Sequence, residues 1–230
     1  MNDVDDEVRC SNARRQVKRL FVLDEARPHQ RFFPVDKLRS FLTREKVIWL
    51  LECHCPTCKK DHASFKRAKP PIEFIDRIVG PESDANAQRD PAKTALALFA
   101  LLIFIEHPLL IIGFVIHQCS DHTLETRAPG QFSFRNLKEG YCKELAASVP
   151  DHDFKQFAAD FAEALPKFAV PRMDSGVYSV YGLDTILPFT NERKIGVRGE
   201  DGVIRQEGAH GKVYAFEIYE EYRQFPVSTR

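Results

Sequence analysis

The sequence predicts a mainly helical protein of the α+β class, in which a helical N-terminal domain is followed by a short β-hairpin. Three stretches carry this prediction. Apolar residues fill 95–105 and 109–116, phenylalanines recur at helical spacing over 154–168, and residues 214–219 alternate in the manner of a strand. At 230 residues, 43% of them hydrophobic, the chain is long enough to bury a core.

Changes in composition predict four segments. Residues 1–19, in which acidic side chains precede basic ones, are expected to be a polar lead-in that is solvated and without fixed structure, with a polar first helical turn as the alternative. Residues 20–170 are the predicted helical domain. Residues 171–183 are a linker of small residues, and 184–230 carry the hairpin.

The overall charge argues against a nucleic-acid partner. Lysine plus arginine and aspartate plus glutamate both number 33, so no net field draws the chain to a phosphate backbone. The N terminus lacks the charged-then-apolar order of a secretory signal, which predicts a cytoplasmic or nuclear location. Cysteines stay reduced there, so their use is burial or metal binding.

The first predicted elements precede the cysteine-rich stretch. Val35, Leu38, Phe41 and Leu42 recur at helical spacing after Pro34 and predict a helix of two to three turns. The apolar run at 47–51 follows and contains Trp49, which we interpret as a core anchor.

The stretch 53–62 carries a candidate metal site. Cys55 and Cys58 have the C-x-x-C spacing that lets one turn present two thiolates to a tetrahedral zinc ion. We predict Cys53, Cys55, Cys58 and His62 as its ligands. Cys119 and His122 form a second candidate pair, and two alternatives stay open: reduced cysteines without a ligand, and a redox C-x-x-C.

The intensely apolar region 95–116 predicts a core helix of about three turns, a turn, and a second apolar segment. Glu106-His107-Pro108 interrupts it, which disfavours a membrane span because a span needs about twenty uninterrupted apolar residues. Further along, Asp151 and Asp153 precede the phenylalanine stripe and favour a helix start there. The stripe itself predicts core packing.

A glycine turn that runs into a strand lies near the end of the sequence. Gly208, Gly211 and Val213 form G-x-x-G-x-V, and the alternating run 214–219 follows. Residues without a Cβ let backbone N–H groups approach phosphate oxygens, which is how a kinase glycine-rich loop covers ATP. Gln206 stands where the first kinase glycine belongs. An ordinary hairpin turn is the alternative.

The run Leu187-Pro188-Phe189, Lys194-Ile195-Gly196 and Gly208–Ile218 resembles the entry to the kinase domain of a group of filamentous-fungal protein kinase-like proteins. The resemblance covers the last third of the chain and, loosely, the middle. It implies an incomplete kinase N-lobe over 184–230 and ATP contacts by the loop: Gly208, Ala209, His210, Gly211 and Val213. Residues 197–207 depart from it, because the family runs almost directly into the loop.

Two functions follow as expectations. The first is a truncated or degenerate protein kinase-like protein with a partial ATP-binding loop. It has no phosphotransfer activity of its own, since H-R-D and D-F-G are absent from the 230 residues. The second is a non-enzymatic helical interaction module, stabilised by a structural zinc ion, whose partners are proteins.

Overall fold

We describe the chain from a computed structural model. The described residues are 3–24, 27–58, 72–116, 118–125, 151–173, 185–195, 197–198, 204–205 and 213–223.

Helices dominate the described residues. The α-helices are, in chain order, α1 (Asp3–Val17), α2 (Val35–Phe41), α3 (Arg44–Leu51), α4 (Ile72–Val79), α5 (Leu96–Phe104), α6 (Ile111–Ile116), α7 (Asp121–Glu125) and α8 (Asp151–Phe168). Short 3-10 turns stand at Ala87–Arg89, Pro108–Leu110 and Glu220–Tyr222.

Small antiparallel sheets complete the fold. The strands are β1 (Val22–Asp24), β2 (Arg27–Phe32), β3 (Phe189–Ile195), β4 (Val197–Arg198), β5 (Ile204–Arg205) and β6 (Val213–Ile218). Among the described residues they pair as β1–β2, β3–β6 and β4–β5. The predicted mainly α, α+β class is therefore confirmed.

Helix α5 lies at the centre of the core. Every side chain from Leu96 to Ile103 is buried, and α1, α2 and α8 all contact the helix. A helix that is apolar on all sides is stable in water only when other elements surround it. The predicted core helix is confirmed, and α6 is the second apolar segment. No helix among the described residues is both long and apolar enough to cross a membrane.

Helix α8 buries its phenylalanine stripe against this centre. Phe161 stacks on Phe114 of α6 with ring centroids 5.7 Å apart, and Phe168 stacks on Phe33 at 4.3 Å. The helix continues past Pro166 to Phe168. The prediction that the stripe packs into the core is confirmed.

The N-terminal stretch differs from the expected solvated lead-in. It forms the fifteen-residue helix α1, in which Cys10, Ala13 and Val17 are buried. These residues recur at steps of three and four, so they face the core in one narrow strip. The sequence does not reveal this strip, because its side chains are small and charged residues lie on both sides of them in the sequence.

The C-terminal segment packs on strand β2 and on the residues that follow α8. Tyr222 is buried with Phe32 of β2 and with Val170. The rings of Tyr222 and Phe32 meet edge to face, with centroids 5.9 Å apart. Arg223 also forms a parallel bridge with Met173. Of the predicted linker, only residues 171–173 are described, so its remainder lies outside the described residues.

Candidate metal centre

Four cysteine side chains from two separate parts of the chain meet in the core. Cys10 lies on α1, in the buried strip. Helix α3 begins after Thr43, whose side chain accepts a hydrogen bond from the backbone N–H of Lys46, and it ends at Leu51. The chain therefore leaves α3 just before Cys53, and the next residues bring Cys55 and Cys58 to the same place.

The sulfur atoms have the spacing of a tetrahedral metal site. All four Sγ atoms lie within 4.8 Å of one another, and all four residues are buried. The Sγ atoms of Cys10 and Cys58 are 3.8 Å apart. Four thiolates about 2.3 Å from one zinc ion stand about 3.8 Å apart, so the observed separation fits such an ion. All four are free thiols rather than disulfides.

Polar groups of α1 surround the sulfurs. The buried Asp6 accepts a hydrogen bond from the backbone N–H of His54 at 3.2 Å, and its backbone carbonyl oxygen lies 3.8 Å from Cys53 Sγ. Arg14 Nη2 lies 3.9 Å from Cys10 Sγ. Arg14 also forms an ion pair with Glu106, with 2.9 Å between Nη1 and Oε2. These contacts fix both the cysteine loop and the helix that faces it.

The position of Glu106 depends on an unusual backbone conformation. Its φ angle is +74°, in the left-handed region that costs a residue with a side chain about 1–2 kcal/mol. This conformation ends the run of α5 and precedes the turn at Pro108–Leu110.

The closeness of the sulfurs shifts their pKa values in opposite directions. Hydrogen bonds from Cys53, and then from Cys58, lower the pKa of Cys10, and the charge of Arg14 lowers it further. Hydrogen bonding to Cys10 raises the pKa of Cys53 and that of Cys58. Without a cation, the first thiolate thus opposes ionisation of its neighbours. A metal ion removes this conflict, because it stabilises all the thiolates at once.

The sequence identified three of the four cysteines. Cys53, Cys55 and Cys58 come together as predicted, while His62 lies outside the described residues. The fourth member, Cys10, was missed because it is far away in sequence, within a charged stretch. Its spacing to Ala13 and Val17 is the signal that could have placed it in the core. Cys119 and His122 are not members of this group.

The predicted ATP-binding residues are mostly outside the described residues. Gly208, Ala209, His210 and Gly211 all lie there, and Val213 is the first residue of β6. In the ladders, Ile195 pairs with Val213 and Val197 pairs with Arg205.

Comparisons with known proteins gave no relative: no protein-family model, curated protein or solved structure matches this chain.

Proposed function

We propose that this chain is a non-enzymatic helical interaction module held together by a structural zinc ion, with Cys10, Cys53, Cys55 and Cys58 as ligands. The observation that carries the proposal is the group of four buried sulfurs within 4.8 Å of one another. Four protein ligands complete a tetrahedral zinc shell and leave no position for water or substrate. This supports a structural role.

The donor set favours zinc over other common cations. Thiolates are soft ligands that suit zinc or iron, whereas magnesium and calcium prefer oxygen. The ligand pair Cys55 and Cys58 has the spacing of zinc knuckles. Iron in the same shell is distinguishable, because it absorbs visible light and zinc does not.

The ion would act as a cross-link between α1 and the end of α3. Cys10 and Cys58 are 48 residues apart in sequence. Closing a loop of that length in the unfolded chain contributes about 4 kcal/mol in the chain-entropy treatment of cross-links. The ion would therefore hold α1, with its many charged residues, against the apolar core.

Metal analysis of the purified chain tests this proposal. We expect one zinc ion per chain in the wild type and in Cys119→Ser, and loss of zinc in Cys10→Ser and Cys58→Ser. Chelation should lower the unfolding temperature by roughly 8–16 °C, because each kcal/mol is worth about 2–4 °C in a chain of this size. Absence of zinc from the wild type, or full retention in Cys10→Ser, would overturn the proposal.

We propose nucleotide contact by the glycine stretch as a second candidate function, on the kinase-like resemblance. In its support, β6 begins two residues after Gly211 and pairs with β3, as expected of a glycine loop that runs into a strand. The register differs from a simple loop between paired strands, since the β4–β5 pair intervenes. Hydrogen exchange with and without MgATP tests it: protection over 206–213 should appear in the wild type and vanish in Gly211→Val.

A further inference from the structure

A groove lies between α1 and the α2–α3 pair, and none of the four cysteines is among the residues that line it. The groove is open to solvent and has a volume of about 370 Å³. The residues that line it come from all three helices: Arg9, Asn12, Ala13, Gln16, Phe41, Lys46, Trp49 and Leu50. Its volume falls within the range of about 300–1,000 Å³ that is typical of small-molecule sites.

The floor and walls of the groove are apolar. Leu50 and Ala13 are buried at its base, and the rings of Phe41 and Trp49 are half-buried. The Trp49 Nε1 donor has no hydrogen-bond partner among the described residues. A ligand with a flat or linear apolar body would cover these rings and remove their exposed surface from water.

Two cations stand at the groove, and none of the described residues that line it is acidic. The Lys46 ammonium lies 4.1 Å from the centroid of the Phe41 ring, and the Arg9 guanidinium lies 6.0 Å from that of Trp49. Both residues are exposed, and neither forms an ion pair with a described carboxylate. Their positive charge is therefore available to an anion above the rings.

We propose that this groove binds a small amphipathic carboxylate, a fatty or aromatic acid whose apolar body lies on Phe41 and Trp49 and whose carboxylate lies between Arg9 and Lys46. The charge of the groove excludes amphipathic cations, and its apolar floor disfavours polar anions such as inorganic phosphate. This inference goes beyond the proposed function and needs no metal ion in the groove.

Tryptophan fluorescence of the full-length chain tests the proposal directly, because Trp49 is the only tryptophan. The probe is decanoate, kept below its micelle concentration and titrated at low and at moderate salt. We expect a saturable change in Trp49 emission and weaker binding at the higher salt concentration, since the cations are exposed. Decanamide and decylammonium, which share the same chain without the negative charge, should bind far more weakly.

Charge-reversal variants locate the binding site. The double variant Arg9→Glu, Lys46→Glu should weaken decanoate binding by roughly tenfold or more, because two favourable pairs become two repulsive ones. Gln16→Lys, which adds a third cation, should strengthen it by a few fold. The matched control is Lys93→Glu, at a lysine that is 59% exposed and does not line the groove; it should bind as the wild type does.

Three results would contradict the proposed site. Equal binding of decanoate and decanamide would show that the cations do not select the ligand. Unchanged binding in the double variant would place the site elsewhere. No saturable response to decanoate in the folded wild type would overturn the proposal outright.

Discussion

Arg14 places a permanent positive charge beside the four sulfurs. It contacts Cys10 Sγ through Nη2 and Glu106 through Nη1, and its side chain is 14% exposed. The neighbouring charges of Cys10 and Glu106 raise the pKa of Arg14, although burial opposes them as the largest single effect. A zinc ion with four thiolates carries a net charge of about −2. Arg14 is therefore placed to balance part of it.

Replacing Arg14 should lower the affinity for zinc without removing a metal ligand. In zinc-loaded Arg14→Met, we expect zinc to pass to a chromophoric chelator roughly tenfold faster than in the wild type, because groups next to metal ligands typically change affinity by about 10–100-fold. Arg14→Lys should be intermediate. Arg15→Met removes an exposed arginine from the same helix and is the control. Equal rates in Arg14→Met and the control would contradict this role.

The start of α5 is capped by a side chain from a distant helix. Ala95, at the N-cap position, has no side-chain oxygen to offer. The carboxylate of Asp121 instead accepts the backbone N–H groups of Leu96 at 2.9 Å and Leu98 at 3.0 Å, and the hydroxyl of Thr94 lies 3.2 Å from it. Asp121 is 3% exposed, so these donors have little access to water if it is lost.

Asp121→Ala should therefore be strongly destabilising. We expect a loss of about 2–4 kcal/mol in the free energy of unfolding measured with urea, because two buried amide groups lose their acceptor. The Thr94 hydroxyl can still donate to the carbonyl oxygen of Asp90, 3.2 Å away. Asp121→Asn keeps one acceptor oxygen and should cost less. Glu163→Ala, at a side chain that is 82% exposed, is the control and should change stability by less than about 0.5 kcal/mol. A loss in Asp121→Ala no larger than the control's would refute the cap.

Helix α2 is capped in a similar way by the C-terminal segment. Pro34 makes no side-chain cap, and the carboxylate of Glu221 accepts the backbone N–H of Asp36. Burial raises the pKa of Glu221, and the charge of Asp36 adds to the rise, although the hydrogen bond from Asp36 and the charge of Arg39 oppose it. Glu221 is therefore harder to ionise in the folded chain than in the unfolded chain.

This shift predicts a pH dependence with a definite sign. A carboxyl whose pKa is higher in the folded chain contributes stability below its unfolded pKa, about 4.3, and that contribution is lost as pH rises through the folded pKa. Between about pH 4 and pH 7, the wild type should therefore lose stability relative to Glu221→Gln, which does not titrate. Urea unfolding at several pH values measures the difference. A difference that stayed constant with pH would show that Glu221 is not responsible.

Local sequence patterns were enough to predict the helices whose own residues show a clear apolar or aromatic periodicity. The uniform apolarity of α5 and the phenylalanine spacing of α8 each predict the element and its burial. The partners of Asp121, Glu221 and Cys10 could not be found in this way. Each meets its partner across 23 to 185 residues, and only the packed chain brings them together. For the metal site, the sequence accordingly predicted the ligands around the C-x-x-C motif and missed Cys10.

At the scale of the whole molecule, the C-terminal segment closes against the first sheet. The Tyr222 hydroxyl donates to the carbonyl of Phe33 at 3.4 Å, and the Tyr219 hydroxyl donates to Asp36 at 3.2 Å. The rings of Phe32, Tyr219 and Tyr222 all contact one another: the Phe32 centroid is 5.7 Å from that of Tyr219 and 5.9 Å from that of Tyr222, and the two tyrosine centroids are 6.4 Å apart. A two-stranded sheet is marginal in water alone, so β3 and β6 should be stabilised by this contact and by the packing of β3 on β1.

Removing the Tyr222 ring should therefore release the segment as well as lower stability. We expect Tyr222→Ala to cost about 3–5 kcal/mol, since Tyr222 is 2% exposed and the truncation leaves a large cavity beside Phe32. Tyr222→Phe keeps the ring and loses one long hydrogen bond, so it should cost about 1 kcal/mol or less. Hydrogen exchange should then show faster exchange in β3 and β6 of Tyr222→Ala while α5 stays protected. If β3 and β6 kept wild-type protection in Tyr222→Ala, the sheet would be stable without this contact, and the segment would be an independent unit.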